Sequence, residues 1–186
     1  GGDALLVVVQ GRDDENLSRL LRYRGDSGTP ATQTILEIEG RVVYGIEFHP
    51  EYDAGGEVFV FSNGPTGERE RRNRISRFTI SAEEPRACLP ESERVVIEWR
   101  SMGHDGGDMV FGHDGMLYIT SGDGTTDSDT WVSAQDVRSL LGGVLRIDVR
   151  HASAEAPYRI PADNPCLDVD GARGELLAMG LRNPWR

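Results

Sequence analysis

Long apolar runs are missing from this sequence. The longest, ALLVVV at 4–9, falls far short of the ~18 residues needed to cross a bilayer as a helix. Nothing ahead of it reads as a signal peptide, so any targeting segment is expected upstream. Basic side chains are also scarce, 20 against 31 acidic ones for a net charge of -11. Such a surface repels a nucleic-acid backbone and an anionic membrane alike. The single basic cluster, GERERRNR at 67–74, alternates with glutamate between two strand-like runs and reads as a solvated hairpin loop. There are only two cysteines, Cys88 and Cys166, both in proline-rich segments. They lack metal-ligand spacing, and whether they pair is left open. Helical periodicity is nearly absent. One signal stands alone: Ser133, Asp136, VRSLL and Gly142-Gly143 predict a capped two-turn helix within a loop.

What is present is a succession of short runs rich in β-branched and aromatic residues, punctuated by Gly, Pro, Asn and Asp. Strands are predicted near 4–9, 18–23, 33–38, 43–48, 57–62, 73–80, 94–99, 107–111, 116–121 and 144–149. Three of them are copies of one another: LLVVVQG (5–11), EVFVFSNG (57–64) and MLYITSGDG (116–124). The strands that follow also repeat, as SRLLRY (18–23), SRFTI (76–80) and LRIDV (145–149). Ahead of the second and third copies stand IEFHPEY (46–52) and MVFGHDG (109–115). A unit of four antiparallel strands in roughly 60 residues is the grammar of a propeller blade. The fold expected is therefore all-β, an incomplete β-propeller of about three blades, with approximate units 1–42, 43–100 and 101–186. A two-sheet Greek-key sandwich also uses many short strands, but it gives no reason for matching strand-turn-strand copies at a fixed interval.

Chemistry concentrates in GHDGGDMVFGHDGMLYITSGDG (103–124). His104 precedes one strand of a predicted hairpin and Asp123 follows the other, which puts the two side chains at the same end. A carboxylate beside an imidazole fixes its tautomer and stabilises its protonated form, as a general base requires. His113 falls in the turn at the far end and is expected to face away. His49, in FHPEY, reads as a turn residue. DGTTDSD (123–129) sets oxygen ligands at alternate positions, but Ser128 and Ala134 stand where an EF-hand needs glycine and glutamate. A metal site is not predicted from it.

The run 103–124, followed by AQDVRSLLGGVLRIDV (134–149), YRIPADNP (158–165) and MGLRNPWR (179–186), resembles the soluble pyrroloquinoline quinone (PQQ)-dependent glucose/sorbosone dehydrogenases, also called aldose sugar dehydrogenases. GIEFHPEYDAGGEVFVFSN (45–63) is similar to that family's N-terminal signature. The resemblance implies a six-bladed propeller that oxidises an aldose at its anomeric carbon, with hydride passing to PQQ. It implies that His104 is the base and Asp123 its supporting acid. It implies that Arg182 polarises the quinone carbonyl that accepts hydride, that Arg182 and Asn183 contact the cofactor, and that Asp105 meets the sugar. It further implies calcium held by ligands outside this chain, an external electron acceptor such as a cytochrome, and a periplasmic or secreted location. Two departures stand out. EGRVVYG (39–45) replaces a segment of glycines and leucines that opens with an amide or an acid, and Asp105 occupies a position where an amide is common. The alternative reading, favoured by the first departure, is a non-catalytic propeller that serves as a binding scaffold.

Overall fold

The computed structural model describes residues 4–11, 16–24, 31–52, 56–67, 70–84 and 86–185. Its strands form three antiparallel sheets. The first holds β1 (Ala4–Val9), β2 (Leu17–Arg24) and β3 (Ala31–Glu39) in that order. The second runs β4 (Val42–Phe48), β5 (Glu57–Gly64), β6 (Arg72–Thr79) and β7 (Arg94–Arg100). The third runs β8 (Gly106–Phe111), β9 (Leu117–Ser121), β10 (Gly143–Ile147) and β11 (Leu176–Met179). These sheets are three blades of a β-propeller. A 3₁₀ turn, η1 (Pro90–Ser92), lies between β6 and β7.

Each blade is antiparallel because short turns return the chain beside itself. Gly112 N donates to Met116 O across the HDG turn that joins β8 to β9, with His113 exposed at that end. The sequence copies place β1, β5 and β9 in one position and β2, β6 and β10 in the next. The first sheet therefore has no counterpart of β4 and β8 among the described residues. An open groove of about 810 Å³ runs there, lined by Leu6–Gly11, Tyr44–Ile46, Gly107, Asp108 and Trp185.

The packing follows from the strand period of two. In β5, Val58 and Val60 join the cluster containing Leu20, Ile35 and Leu36 of the first blade. Phe59 and Phe61 point the other way, to Met109, Leu117 and Ile119 of the third. All four β5 side chains are at most 1% exposed, contributing about 1.5–3 kcal/mol each by burial. β5 is thus apolar on both faces because it is clamped on both sides, and its sequence reads as a continuous apolar run instead of an alternation. Cys88 lies in the first of these clusters and Cys166 packs against the second, both as free thiols.

The helix predicted after Ser133 does not form. Residues 133–141 make a series of turns, because the groups that would cap a helix are engaged elsewhere. The Ser133 hydroxyl lies 2.7 Å from Asp123 O and 3.0 Å from Asp129 Oδ1, and Arg138 Nε donates to Asp136 Oδ1 at 2.8 Å.

Candidate active site

The β8–β9 register opposes Gly106 to Ser121, so the residues just before β8 and just after β9 emerge together. His104 Nδ1–H donates to Asp123 Oδ1 at 2.9 Å. Asp123 is 1% exposed and the His104 side chain 11%. Thr125 N and Thr125 Oγ1 each lie 2.9 Å from the same carboxylate oxygen. Three donors thus converge on Oδ1, while Oδ2 is buried without a partner. With Nδ1 donating, Nε2 carries the lone pair, and it has no partner among the described residues. That is the tautomer of a base facing outward from a fixed acid.

The turn is tight at two points. His104 adopts φ 33°, in the left-handed region that side-chain-bearing residues seldom occupy. Gly122 is required by contact: a Cβ there would fall 1.7 Å from His104 O and 3.1 Å from Arg182 O. The backbones of the three segments therefore touch at this glycine.

Arg182 and Asn183 come to the same place from the C-terminal end. Asp123 N donates to Arg182 O at 2.8 Å. The exposed Arg182 guanidinium returns to the same loop, with Nη2 on Asp127 O at 2.9 Å. No carboxylate pairs with it among the described residues, so most of its N–H donors stay available to an anionic or carbonyl oxygen. Asn183 Oδ1 accepts from Gly106 N at 3.3 Å. His104, Asp123, Arg182 and Asn183 form one patch at one end of the blades.

Asp105, expected to meet the sugar, lies in the interface between the second and third blades. It is 7% exposed. Oδ2 accepts from the Tyr44 hydroxyl at 2.7 Å, and Oδ1 accepts from Asn63 Nδ2 at 3.1 Å and from the Ser101 hydroxyl. Both oxygens are engaged by protein donors, so nothing in this geometry supports a sugar contact from them. Burial and the adjoining Asp105 carboxylate push the Tyr44 phenol well above its usual range. Arg41, from the divergent EGRVVYG segment, is tied down instead of reaching out: it donates to Ser62 Oγ at 2.9 Å and to Arg72 O at 2.8 Å. Burial, with Arg74 nearby, lowers it to about 10.

Tyr44, Asn63, Asn73 and Ser101 are site residues that sequence reasoning missed. The available signal was Asn63 at the end of the apolar run of β5, opposite Asn73 in the β5–β6 register. Among the described residues no group of three or more His, Cys, Asp or Glu side chains is placed to hold a metal ion. The donor set of one outward imidazole, one unpaired guanidinium and one amide fits a carbonyl-bearing oxidant and a hydroxylated substrate.

A model of the glucose/sorbosone dehydrogenase family matches residues 27–185. Hedgehog-interacting protein of Mus musculus is 31% identical over 153 residues, which cover 78% of this chain and 22% of that protein. The solved structure of an oxidoreductase described as a glucose dehydrogenase, from Thermus thermophilus, superposes with a TM-score of 0.70 at 26% identity, covering 98% of this chain and 50% of that one. The PQQ-bound form of aldose sugar dehydrogenase from Streptomyces coelicolor has the same fold, with a TM-score of 0.67 at 23% identity, covering 96% and 48%. The chain spans about a fifth of the curated relative's length and about half of each of these solved structures.

Proposed function

The chain belongs to the glucose/sorbosone dehydrogenase family, and we propose that it supplies the base-bearing arc of a quinoprotein that oxidises an aldose at its anomeric carbon. The observation that carries this reading is the 2.9 Å bond from His104 Nδ1 to a buried Asp123, with the Arg182 guanidinium brought from the C-terminal end onto the loop that follows Asp123. His104 Nε2 takes the proton of the anomeric hydroxyl. Asp123 stabilises the imidazolium that forms, and its own position is fixed by Thr125. PQQ, when bound, supplies the two-electron acceptor for the hydride leaving the anomeric carbon. Arg182 and Asn183 would hold it, and the Arg182 cation favours negative charge developing on a bound oxygen. A positioned base typically contributes ~10²- to 10⁴-fold, and preorganised donors a similar factor. Calcium and the remaining cofactor contacts are assigned to parts of a six-bladed ring outside this chain. Reduction of an external acceptor such as a cytochrome, in the periplasm or outside the cell, completes the reading.

The match to Hedgehog-interacting protein favours a second reading, a propeller that binds a partner without chemistry. The two separate in one experiment on the full-length protein, reconstituted with PQQ and calcium and assayed by dye reduction with a panel of aldoses. Turnover that falls by about 10²-fold or more in His104→Ala, with the quinone still bound, supports the enzyme. A protein that neither binds PQQ nor reduces dye supports the scaffold.

A further inference from the structure

We propose that Asp105 is a positioning residue for His104, locked in that role by Tyr44 and Asn63 across the interface of the second and third blades. The proposal deepens the reading of His104 as the base and rests on it. Asp105 follows His104 directly, and its carboxylate is gripped from three elements. Tyr44 on β4 donates to Oδ2 at 2.7 Å. Asn63 on β5 and Ser101, just past β7, both donate to Oδ1. The main chain is held as well, since Asn73 Nδ2 on β6 donates to Asp105 O at 2.8 Å. Asn63, Asn73 and Ser101 are each 0% exposed. A carboxylate this desolvated is tolerable only with donors on its oxygens, and the three donors here hold it in one orientation, although Asn63 Oδ1 itself is buried without a partner.

That rigidity passes to His104 through a single peptide. At φ 33° the histidine sits in a conformation that must be imposed by its surroundings. On one side it is held by Asp123. On the other side Asp105 ties the turn to the second blade, beside the Ser101 Oγ bond to Gly103 O and the Asn73 bond to Asp105 O. Without the carboxylate the turn loses its ties to Tyr44 and Asn63, and the imidazole shifts relative to its acid and to the patch shared with Arg182.

The two halves of this lock meet directly, with the Tyr44 hydroxyl 2.7 Å from Asp105 Oδ2. A carboxylate at 105 needs a donor from β4, and the phenol supplies it, whereas an apolar side chain at 44 would leave Oδ2 buried and bare.

The test uses the full-length protein and three variants, with kcat and KM for an aldose, the downfield Nδ1–H resonance of His104 and the melting temperature as readouts. Asp105→Ala is expected to lower kcat by about 30-fold while the sugar KM stays within about threefold, with the Nδ1–H resonance lost. Tyr44→Phe keeps the ring that packs edge-on against Phe61 and Trp185 and is expected to lower kcat about fivefold. Adding Asp105→Asn to Tyr44→Phe is expected to return kcat to within about twofold, since a neutral amide no longer demands the phenol. A folded Asp105→Ala protein with wild-type kcat and resonance overturns the proposal. So does a Tyr44→Phe loss that Asp105→Asn leaves unrepaired. If Asp105→Ala does not fold, the Tyr44 pair decides alone. If the wild-type protein oxidises no aldose, the enzyme reading falls, and the His104 resonance in the same variants still decides the positioning role.

Discussion

Gly122→Ala should disable the site without touching any functional group. The added methyl would lie 1.7 Å from His104 O and 2.5 Å from His104 C, where ordinary contacts are about 3.5 Å. The 122 and 104 backbones must therefore separate by roughly 1.5–2 Å. The His104–Asp123 bond is 2.9 Å long, and any opening of that size carries it past the ~3.5 Å at which it ceases to be a hydrogen bond. Strain of this kind costs about 1–3 kcal/mol, and misplacing a base by about 1 Å costs about 10²-fold in turnover. Gly67→Ala is the control. Gly67 has φ +79°, and a Cβ there would meet nothing within 4 Å, so it isolates left-handed strain, about 1–2 kcal/mol, with turnover intact. Denaturant midpoints and dye-reduction rates on the full-length protein read both effects. A Gly122→Ala enzyme with wild-type midpoint and turnover refutes the close-approach reasoning.

Three further outcomes are expected. Phe59→Ala, at a fully buried position beside Phe111, should destabilise by about 3–5 kcal/mol, measured by urea unfolding. Acid should destabilise the third blade. Burial alone would raise Asp114, but bonds from Arg146 outweigh it and bring it to about 2, and the Arg150 bond brings Asp148 to about 2. A carboxyl held below its unfolded value near 3.9 stabilises above that pH and loses its contribution as pH falls toward 2. Urea midpoints at pH 5 and pH 2.5 should therefore differ less in Arg146→Leu than in wild type. Residues 1–186 expressed alone should self-associate, because Leu5, Val7 and Val9 are exposed beside the open edge of β1. A monodisperse species in light scattering would contradict this.

The blades were legible because burial on two faces demands uninterrupted apolar strands, and EVFVF (57–61) shows that demand directly. The strand at 176–179 was not. LLAM pairs with β10 for only three residues across a bulge, too short for its pattern to stand out from the surrounding loop. The helix expected after Ser133 was misread for a different reason. Its caps were judged as local groups, whereas Asp123 and Asp129, from ten and four residues upstream, had taken the serine hydroxyl. Local propensity lost to a tertiary partner.

The site divides along the same line. His104 and Asp123 are 19 residues apart, but a hairpin makes them neighbours by arithmetic, so the pair was readable before any coordinates. Arg182 entered only through the resemblance, and its tie to Asp123 runs through a backbone carbonyl that carries no residue identity. The burial of Asp105 was not legible because its partners, Tyr44 and Asn63, lie 61 and 42 residues away on another blade. The polar network forms only where blades stack, so no pattern within one blade reveals it. On the proposed reading the base, His104, sits at a strand end within a blade, and Asp105, which aims it, is held between blades. Tyr44 and Asp105 are matched across that interface. A lone change at either position would leave a buried donor or acceptor unmatched, which is the condition that interblade packing tolerates least.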